Sequence, residues 1–190
     1  MDRRELLKMI AALTGGAVIG GEFFLAGCKN PDAGPGIPFS EKELAFWDEV
    51  GETIFPKTSS PGAKEAKIAE FMKIMVNDTY TKADQEIFHA GIKKIDEACT
   101  KMHGHDFMKA SPEHRTEVLT AIDKERADYQ KSKKREDPNH YFQMVKQLTI
   151  LGYFTSEQGR KGALRYEPAP GKYIGDYDYK KGDKIIVGLS

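Results

Sequence analysis

One stretch of the sequence, "CTKMHGHD", places several possible metal ligands close together. It contains Cys99, His103 and His105, whose sulfur and imidazole nitrogens are ligands that zinc and related metal ions accept. Structural zinc normally takes four ligands, and no second paired-ligand motif accompanies this stretch. The pattern therefore favours a buried Cys99 on the apolar face of a helix, with both histidines in a polar turn, and we predict no metal site. Donors that could otherwise complete a site are Asp106, His89 and His114.

Sequence motifs for catalysis and for common cofactors do not occur. The chain has no CxxCH for haem attachment, no G-x-G-x-x-G after a strand and no G-x-S-x-G nucleophile turn. Its carboxylates lie in Lys-rich sequence, where ion pairs at helical spacing are the expected use. His114 and His140 fall in first helical turns and are expected to be exposed. We therefore predict no catalytic residue and no cofactor bound by this chain.

Five amphipathic segments with start signals indicate five helices. Ser40 and Glu43 form a capping box for the first helix, which Pro56 ends. Ser60–Pro61 and Ser111–Pro112 each place proline at a first helical position. The two remaining helices are expected to begin near Thr81 and at Asp137–Pro138, the latter ending at Gly152. The predicted fold class is all-α, a bundle of about five helices with an extended, Tyr/Pro/Gly-rich C-terminal segment.

The sequence after the last predicted helix lacks helical periodicity. A short helical turn from Ser156 to Leu164 is expected, and then extended chain, because Pro168 and Pro170 disfavour helix at and before themselves. Long segments with so little regular structure are commonly functional or disordered, and the tyrosines here argue against disorder. We predict little or no sheet.

The N-terminus has the pattern of an export signal. Arg3 and Arg4 precede apolar, Gly-rich sequence, which resembles a twin-arginine signal. The glycines and Glu22 make the segment too polar for a permanent membrane span. The following "LAGC" resembles a bacterial lipobox and predicts cleavage before Cys28 and lipidation of its thiol. The alternatives are a free Cys28 and an apolar N-terminal helix packed on the domain.

These signals divide the chain into three predicted parts: a signal peptide at residues 1–27, a Pro/Gly-rich tether at residues 28–39, and a single helical domain at residues 40–190. The sequence has 29 basic and 29 acidic residues, so no positive footprint for nucleic acid is present. With Cys28 acylated, Cys99 would be the only thiol, and no intramolecular disulfide is expected.

The stretches "IFPKTSSPGAKEAKIAEFM" and "LTILGYFTSEQGRKGALRYEPAPGKY" together resemble the gluconate 2-dehydrogenase subunit 3 family. The resemblance runs from about residue 39 to residue 184, and its most specific part begins at Gly152. It continues to Tyr179, Lys181 and Gly182–Asp183, which match a Tyr, Lys and Gly-Asp run of the family. The chain departs from the family at residues 185–187, Ile-Ile-Val, where an aromatic residue is common.

The resemblance implies a cofactor-free small subunit of an exported, membrane-associated flavin-dependent sugar or sugar-acid dehydrogenase. In such complexes a large flavoprotein subunit carries FAD, and a haem c subunit or another acceptor takes the electrons. The small subunit often carries the only twin-arginine signal, so that it assists assembly and takes its folded partner through the translocase. The expected location is the periplasmic side of a membrane, with Cys28 as the lipid anchor.

The aromatic C-terminal segment is the expected partner interface, since Tyr and Arg are the side chains that most often anchor interfaces. The alternative is that these residues cover the helical core of this chain. A second function also stays open, a stand-alone lipid-anchored binding protein that kept the fold without a dehydrogenase partner. The predicted interface residues are Tyr153, Phe154, Arg165, Tyr166 and Tyr173.

Overall fold

A computed structural model describes residues 36–169, 171 and 175–188. The predictions for Arg3, Arg4 and Cys28 therefore lie outside the described residues.

The first helix of the bundle begins at the predicted capping box. Helix α1 spans Glu41–Ile54. Ser40 Oγ accepts a hydrogen bond from the Glu43 amide, and the Glu43 carboxylate accepts one from the Ser40 amide at 2.8 Å. The local sequence signal is confirmed.

Helix α2 spans Ile68–Thr79, so the start predicted at Ser60–Pro61 is wrong. The chain before α2 makes turns, and Lys67 adopts a left-handed conformation with φ 52°. The carboxylate of Glu52, on α1, accepts hydrogen bonds from the amides of Lys57 and Lys64, each at 2.9 Å. These contacts across the chain hold the loop in a non-helical path that the Ser-Pro signal does not reveal.

Helices α3 and α4 begin where the sequence predicts. Helix α3 spans Lys82–His103 with Thr81 as its N-cap. Helix α4 spans Pro112–Ser132, with Ser111 as N-cap and proline at the first position. Between the two helices Gly104 ends α3 in a left-handed conformation, and a short 3₁₀ turn at Phe107–Lys109 leads to α4.

Helix α5 spans Tyr141–Thr155, three residues later at each end than predicted. Its N-cap is His140, whose Nδ1 accepts a hydrogen bond from the Phe142 amide at 3.2 Å. The expectation that His140 is exposed is wrong, because only 9% of its side chain is accessible. Burial lowers the pKa of His140, which favours the neutral imidazole that this cap requires.

Aromatic side chains fill the core between the helices. Trp47 and Phe88 pack with ring centroids 4.7 Å apart, and Phe46 and Phe107 with centroids 5.3 Å apart. Each fully buried large apolar side chain contributes about 1.5–3 kcal/mol relative to an exposed one. The described chain is therefore an all-α bundle, as the sequence predicts. The largest fully buried side chains include Trp47, Phe88, Phe107, Phe142, Ile68, Met72 and Ile95.

A C-terminal segment follows the bundle and contains a small sheet. A π-helical turn at Gly159–Ala163 occupies the predicted helical turn. Strands β1, Arg165–Tyr166, and β2, Ile186–Val187, then pair in parallel, with Arg165 opposite Ile186. The chain is extended beyond the turn as predicted, and its pairing with residues some twenty positions on adds one short ladder.

Candidate partner interface

Tyr153, the first predicted interface residue, lies at the end of α5 and is buried, with 3% of its surface accessible. Its hydroxyl donates a hydrogen bond to the Pro61 carbonyl at 2.6 Å. Its ring stacks on Phe55 with centroids 4.6 Å apart and planes 5° apart. This environment fits the alternative that Tyr153 completes the core of this chain, and contact with a partner stays a prediction for it.

Phe154, the second predicted residue, is half-buried beside the same aromatic pair. Its ring meets Phe55 edge-on, with centroids 5.5 Å apart and planes at 86°. Such edge-to-face pairs add about 0.5–1.5 kcal/mol beyond burial. Phe55, Tyr153 and Phe154 form a junction that joins the end of α1 to the end of α5, and the C-terminal segment leaves the bundle from this junction.

The π-turn packs closely on the junction, and two glycines make that approach possible. A Cβ at Gly159 would overlap the Tyr153 carbonyl oxygen, and one at Gly162 would overlap the Pro61 ring. Ser156 Oγ donates to the Tyr153 carbonyl at 2.7 Å and accepts from the Gly159 amide at 3.0 Å. The stretch "SEQGRKGA" therefore forms a closely packed turn.

Arg165 and Tyr166 lie on β1, where Arg165 is exposed and Tyr166 is half-buried. Just over half of the Arg165 side chain is accessible. Its Nη1 donates to the Tyr177 hydroxyl at 2.8 Å, and its Nη2 lies 3.7 Å from the Glu167 carboxylate. The Arg160 guanidinium lies over the Tyr166 ring, 5.5 Å from its centroid. Arg165 and Tyr166 thus share one surface, while Tyr173 lies outside the described residues.

That surface is an open groove of about 790 Å³, which we name the C-terminal groove. It is formed by β1, β2, the π-turn residue Lys161 and the chain at Tyr177, Tyr179 and Lys184. Apolar side chains stand exposed along it, with Tyr179 69%, Ile185 66% and Ile186 37% accessible. A group of exposed large apolar residues of this kind is typical of an interaction site.

The sequence predicts two of the ten residues that line this groove. Arg165 and Tyr166 were expected to contact a partner, whereas Lys161, Lys184 and Ile185 were not. Their proximity depends on the ladder between β1 and β2, which has no local signal. The one usable signal in the sequence is the apolar run at residues 185–187, where the chain departs from the resembled family. This run follows a polar segment that has no amphipathic pattern, so the sequence gives no sign that the run is buried.

A histidine stack lies at the junction of α3 and α4. The rings of His103 and His114 are parallel, with centroids 3.9 Å apart, and His105 lies 5.5 Å from His114. His103 Nε2 lies 3.5 Å from the Glu117 carboxylate. Stacked rings direct their nitrogens outward in the ring planes and not toward one point. Among the described residues, no three His, Cys, Asp or Glu side chains are arranged to hold a metal ion.

Cys99 is fully buried on the inner face of α3. Burial, with Asp96 and Asp106 nearby, raises the pKa of its thiol and so disfavours the thiolate that metals and electrophiles require. The position agrees with the expectation of a buried cysteine on the apolar face of a helix.

Glu43 and His89 form the closest carboxylate–imidazole pair in the described chain, with Oε1 2.8 Å from Nδ1. Burial alone would raise the pKa of Glu43, but hydrogen bonds from Ser40 and His89 outweigh it and lower that pKa. His89 Nε2 is buried without a hydrogen-bond partner, and the Phe39 ring packs 4.4 Å from the imidazole. The pair links α1 to α3, and both residues line an open cavity of about 740 Å³ along α3.

Comparisons with known proteins identify the family. A search of curated proteins and a search of solved structures each gave no match. Within the described residues, none of the helices combines the length and the apolar character that crossing a bilayer requires. The family model described as gluconate 2-dehydrogenase subunit 3 matches residues 41–171, which include the whole bundle, the junction and β1. The chain belongs to the gluconate 2-dehydrogenase subunit 3 family.

Proposed function

We propose that this chain is the non-catalytic small subunit of an exported, membrane-associated flavin-dependent dehydrogenase of the sugar or gluconate type. The observation that carries the proposal is the family match over residues 41–171. In this role the chain assists folding and assembly of a flavoprotein subunit, which binds FAD and performs the oxidation. A haem c subunit is a further candidate member of the complex. The chain itself contributes binding surface and binds no cofactor.

The distribution of surface residues supports a binding role. In the histidine stack the rings of His103 and His114 pack on each other, and in the Glu43–His89 pair the imidazole Nε2 is buried. The C-terminal groove, in contrast, exposes tyrosine, isoleucine and arginine side chains together. These residue types anchor protein interfaces, because they combine a large apolar area with directed polar contacts.

The export role rests on the N-terminal sequence. Arg3 and Arg4 would direct the chain to the twin-arginine translocase, which carries folded proteins, so that a bound flavoprotein without its own signal would cross with it. Lipidation of Cys28 would then hold the complex at the periplasmic face of a membrane.

Affinity capture of the tagged full-length chain from its native membranes tests the assembly role. We expect a flavoprotein to co-elute in equal amount, visible by flavin absorbance and identified by mass. The separated flavoprotein should hold the flavin and reduce a dye acceptor with sugar substrate, while the small chain alone should not. A chain that elutes without a flavoprotein would contradict the proposal and leave a stand-alone lipid-anchored binding protein.

Signal variants test the export role. Replacing Arg3 and Arg4 by Lys keeps the charge and should leave both this chain and the flavoprotein in the cytoplasm. Lys8→Arg, a charge-conserving change outside the arginine pair, is the matched control and should export normally. Cys28→Ala should release the exported chain from the membrane, whereas Cys99→Ala, which removes the other thiol, should not. Normal export of the double Lys variant would contradict the twin-arginine role.

A further inference from the structure

We propose that the C-terminal groove binds an extended, carboxylate-bearing segment of the flavoprotein subunit, which adds as a third strand beside β2. The proposal rests on the proposed function, because it names the surface through which that function would operate. Exposed apolar side chains, an open strand edge and an excess of positive charge meet in this groove, and each indicates a property of the segment that would fit.

Exposed apolar residues concentrate along this groove. Tyr177, Tyr179, Ile185 and Ile186 lie within ten positions of one another, and each is more than a third accessible. Residues of the same size in the bundle core, such as Phe88 and Ile95, are fully buried. An occupant that covered the groove would remove this apolar surface from water, which is the main source of binding free energy.

The backbone of β2 has an open edge. The Arg165 amide donates to the Ile185 carbonyl at 3.0 Å, and the Glu167 amide donates to the Val187 carbonyl at 2.9 Å. In this register the amide and carbonyl of Ile186 point away from β1. Among the residues that the structure describes, β2 pairs with β1 alone. An extended peptide can therefore use this edge, as in other cases of strand addition.

The two strands are exposed to a similar extent, but the side chains beside the β2 edge are apolar and gain most from being covered. Ile185 and Ile186 on this side are 66% and 37% accessible. On the other side, Tyr166 is half-buried and its ring lies against the Arg160 guanidinium. The incoming segment is therefore assigned to β2.

The charge of the groove selects an acidic segment. Lys161, Arg165 and Lys184 line it, and Asp183 is the one acidic residue among its lining residues. The Asp183 carboxylate already accepts a hydrogen bond from the Lys180 amide at 2.8 Å and thereby caps a turn. Lys161 is likewise already paired, with the Glu157 carboxylate at 2.6 Å. Carboxylates on an incoming segment would therefore complement Arg165 and Lys184, and the attraction would weaken with salt.

Two pairs of variants test the docking mode on the full-length chain. Ile186→Pro removes the outward amide without breaking the ladder, and Ile186→Val is its control, because it keeps the donor and a β-branched side chain. Arg165→Gln with Lys184→Gln removes two positive charges from the groove and keeps a hydrogen-bond donor at each position, because both side chains donate within the segment. Its control is Lys93→Gln with Lys131→Gln, at helix-surface positions that are 83% and 78% accessible. The probe is the flavoprotein captured by the unaltered chain, titrated against each variant.

We expect Ile186→Pro and the loss of groove charge each to weaken binding at least tenfold, with melting temperatures and control variants unchanged. Equal binding by all variants would overturn the groove as the site, while capture by the unaltered chain would still uphold the proposed function. Loss in the charge variant alone would overturn strand addition. Failure of the unaltered chain to capture any flavoprotein would overturn both proposals together.

A photo-crosslinker locates the occupant directly and does not depend on the folding of a destabilised variant. Benzoylphenylalanine at Tyr179 should crosslink to the flavoprotein within a segment that mass spectrometry shows to be acidic. The same group at Lys131, on the exposed surface of α4, should not. Crosslinking at Lys131 in place of Tyr179 would overturn the assignment.

Discussion

The helical bundle and the C-terminal segment differ in how their side chains are used. In the bundle, capped helices surround a core in which Trp47, Phe88 and Phe107 are fully buried. In residues 175–188 most side chains are exposed, and a two-residue ladder with a few hydrogen bonds holds the segment to the π-turn. The difference indicates that the bundle stabilises itself, whereas the segment presents apolar surface that the other described residues leave uncovered.

Removal of a core ring should have the largest effect on stability. Phe88→Ala deletes a fully buried ring that contacts Trp47, and the cavity should lower the free energy of unfolding by about 3–5 kcal/mol. Urea unfolding at neutral pH measures the change. Ile74→Ala, at a position that is 58% accessible on α2, is the control and should change stability by about 0.5 kcal/mol or less. A loss below about 1 kcal/mol at Phe88 would show that the bundle is less tightly packed than the structure indicates.

The second prediction separates the two regions at their junction. In Gly159→Ala the new methyl group overlaps the Tyr153 carbonyl oxygen. We expect this overlap to destabilise the contact between the π-turn and the junction by about 3 kcal/mol. We expect the π-turn to detach and limited proteolysis to cut the C-terminal segment faster, with the bundle still folded. Lys161→Ala, in the same turn, should leave the cleavage rate unchanged. Unchanged cleavage in Gly159→Ala would mean that the close approach is not maintained in solution.

The third prediction concerns an ion-pair network within the bundle. Glu49 on α1 contacts both Lys64 and Arg115. Burial alone would raise the pKa of Glu49, but these two cations outweigh it and lower that pKa. Because the folded pKa lies below the unfolded value of about 4.3, the stabilisation is present above that value and is lost as pH falls through the folded pKa.

Glu49→Gln should therefore cost about 1–2 kcal/mol at pH 7 and less at pH 3, measured by urea unfolding at both values. Glu97→Gln is the matched control, since Glu97 is 64% accessible and pairs with Lys93 one turn away. It should cost about 0.5 kcal/mol or less. An equal cost of Glu49→Gln at both pH values would show that its charge does not contribute.

Local signals predicted the bundle well, because helix starts depend on a few neighbouring residues. The Ser40–Glu43 capping box and the Thr81 and Ser111 caps are all observed. The predicted starts of α2 and α5 were wrong for different reasons. Lys67 is left-handed in a loop that Glu52 supports from α1, and His140, which is 9% accessible, caps α5 through its ring nitrogen and not through a typical N-cap oxygen.

The candidate site was predictable only where its residues lie in one stretch. Arg165 and Tyr166 stand out by type and position, and they do lie at the surface groove. Lys184 and Ile186 join them through a parallel ladder between distant residues, and parallel pairing leaves no short-range turn signal. Tyr153 is the opposite case. Its residue type suggests an interface, whereas its hydrogen bond to the Pro61 carbonyl fixes it in the junction.

The smallest expected effect on stability lies in the exposed part of the segment, and it gives the sharpest test of the comparison. Tyr179 and Ile185 are 69% and 66% accessible, so Tyr179→Ala with Ile185→Ser removes little buried area and should change the free energy of unfolding by about 0.5 kcal/mol or less. Differential calorimetry of the isolated chain measures this. A loss above about 2 kcal/mol would mean that these side chains are buried within the chain itself. If the stability is unchanged, the apolar side chains of Tyr179 and Ile185 do not contribute to the folding of this chain. Exposed apolar side chains that do not stabilise the fold are then explained by binding, because the segment gains no stability from exposing them.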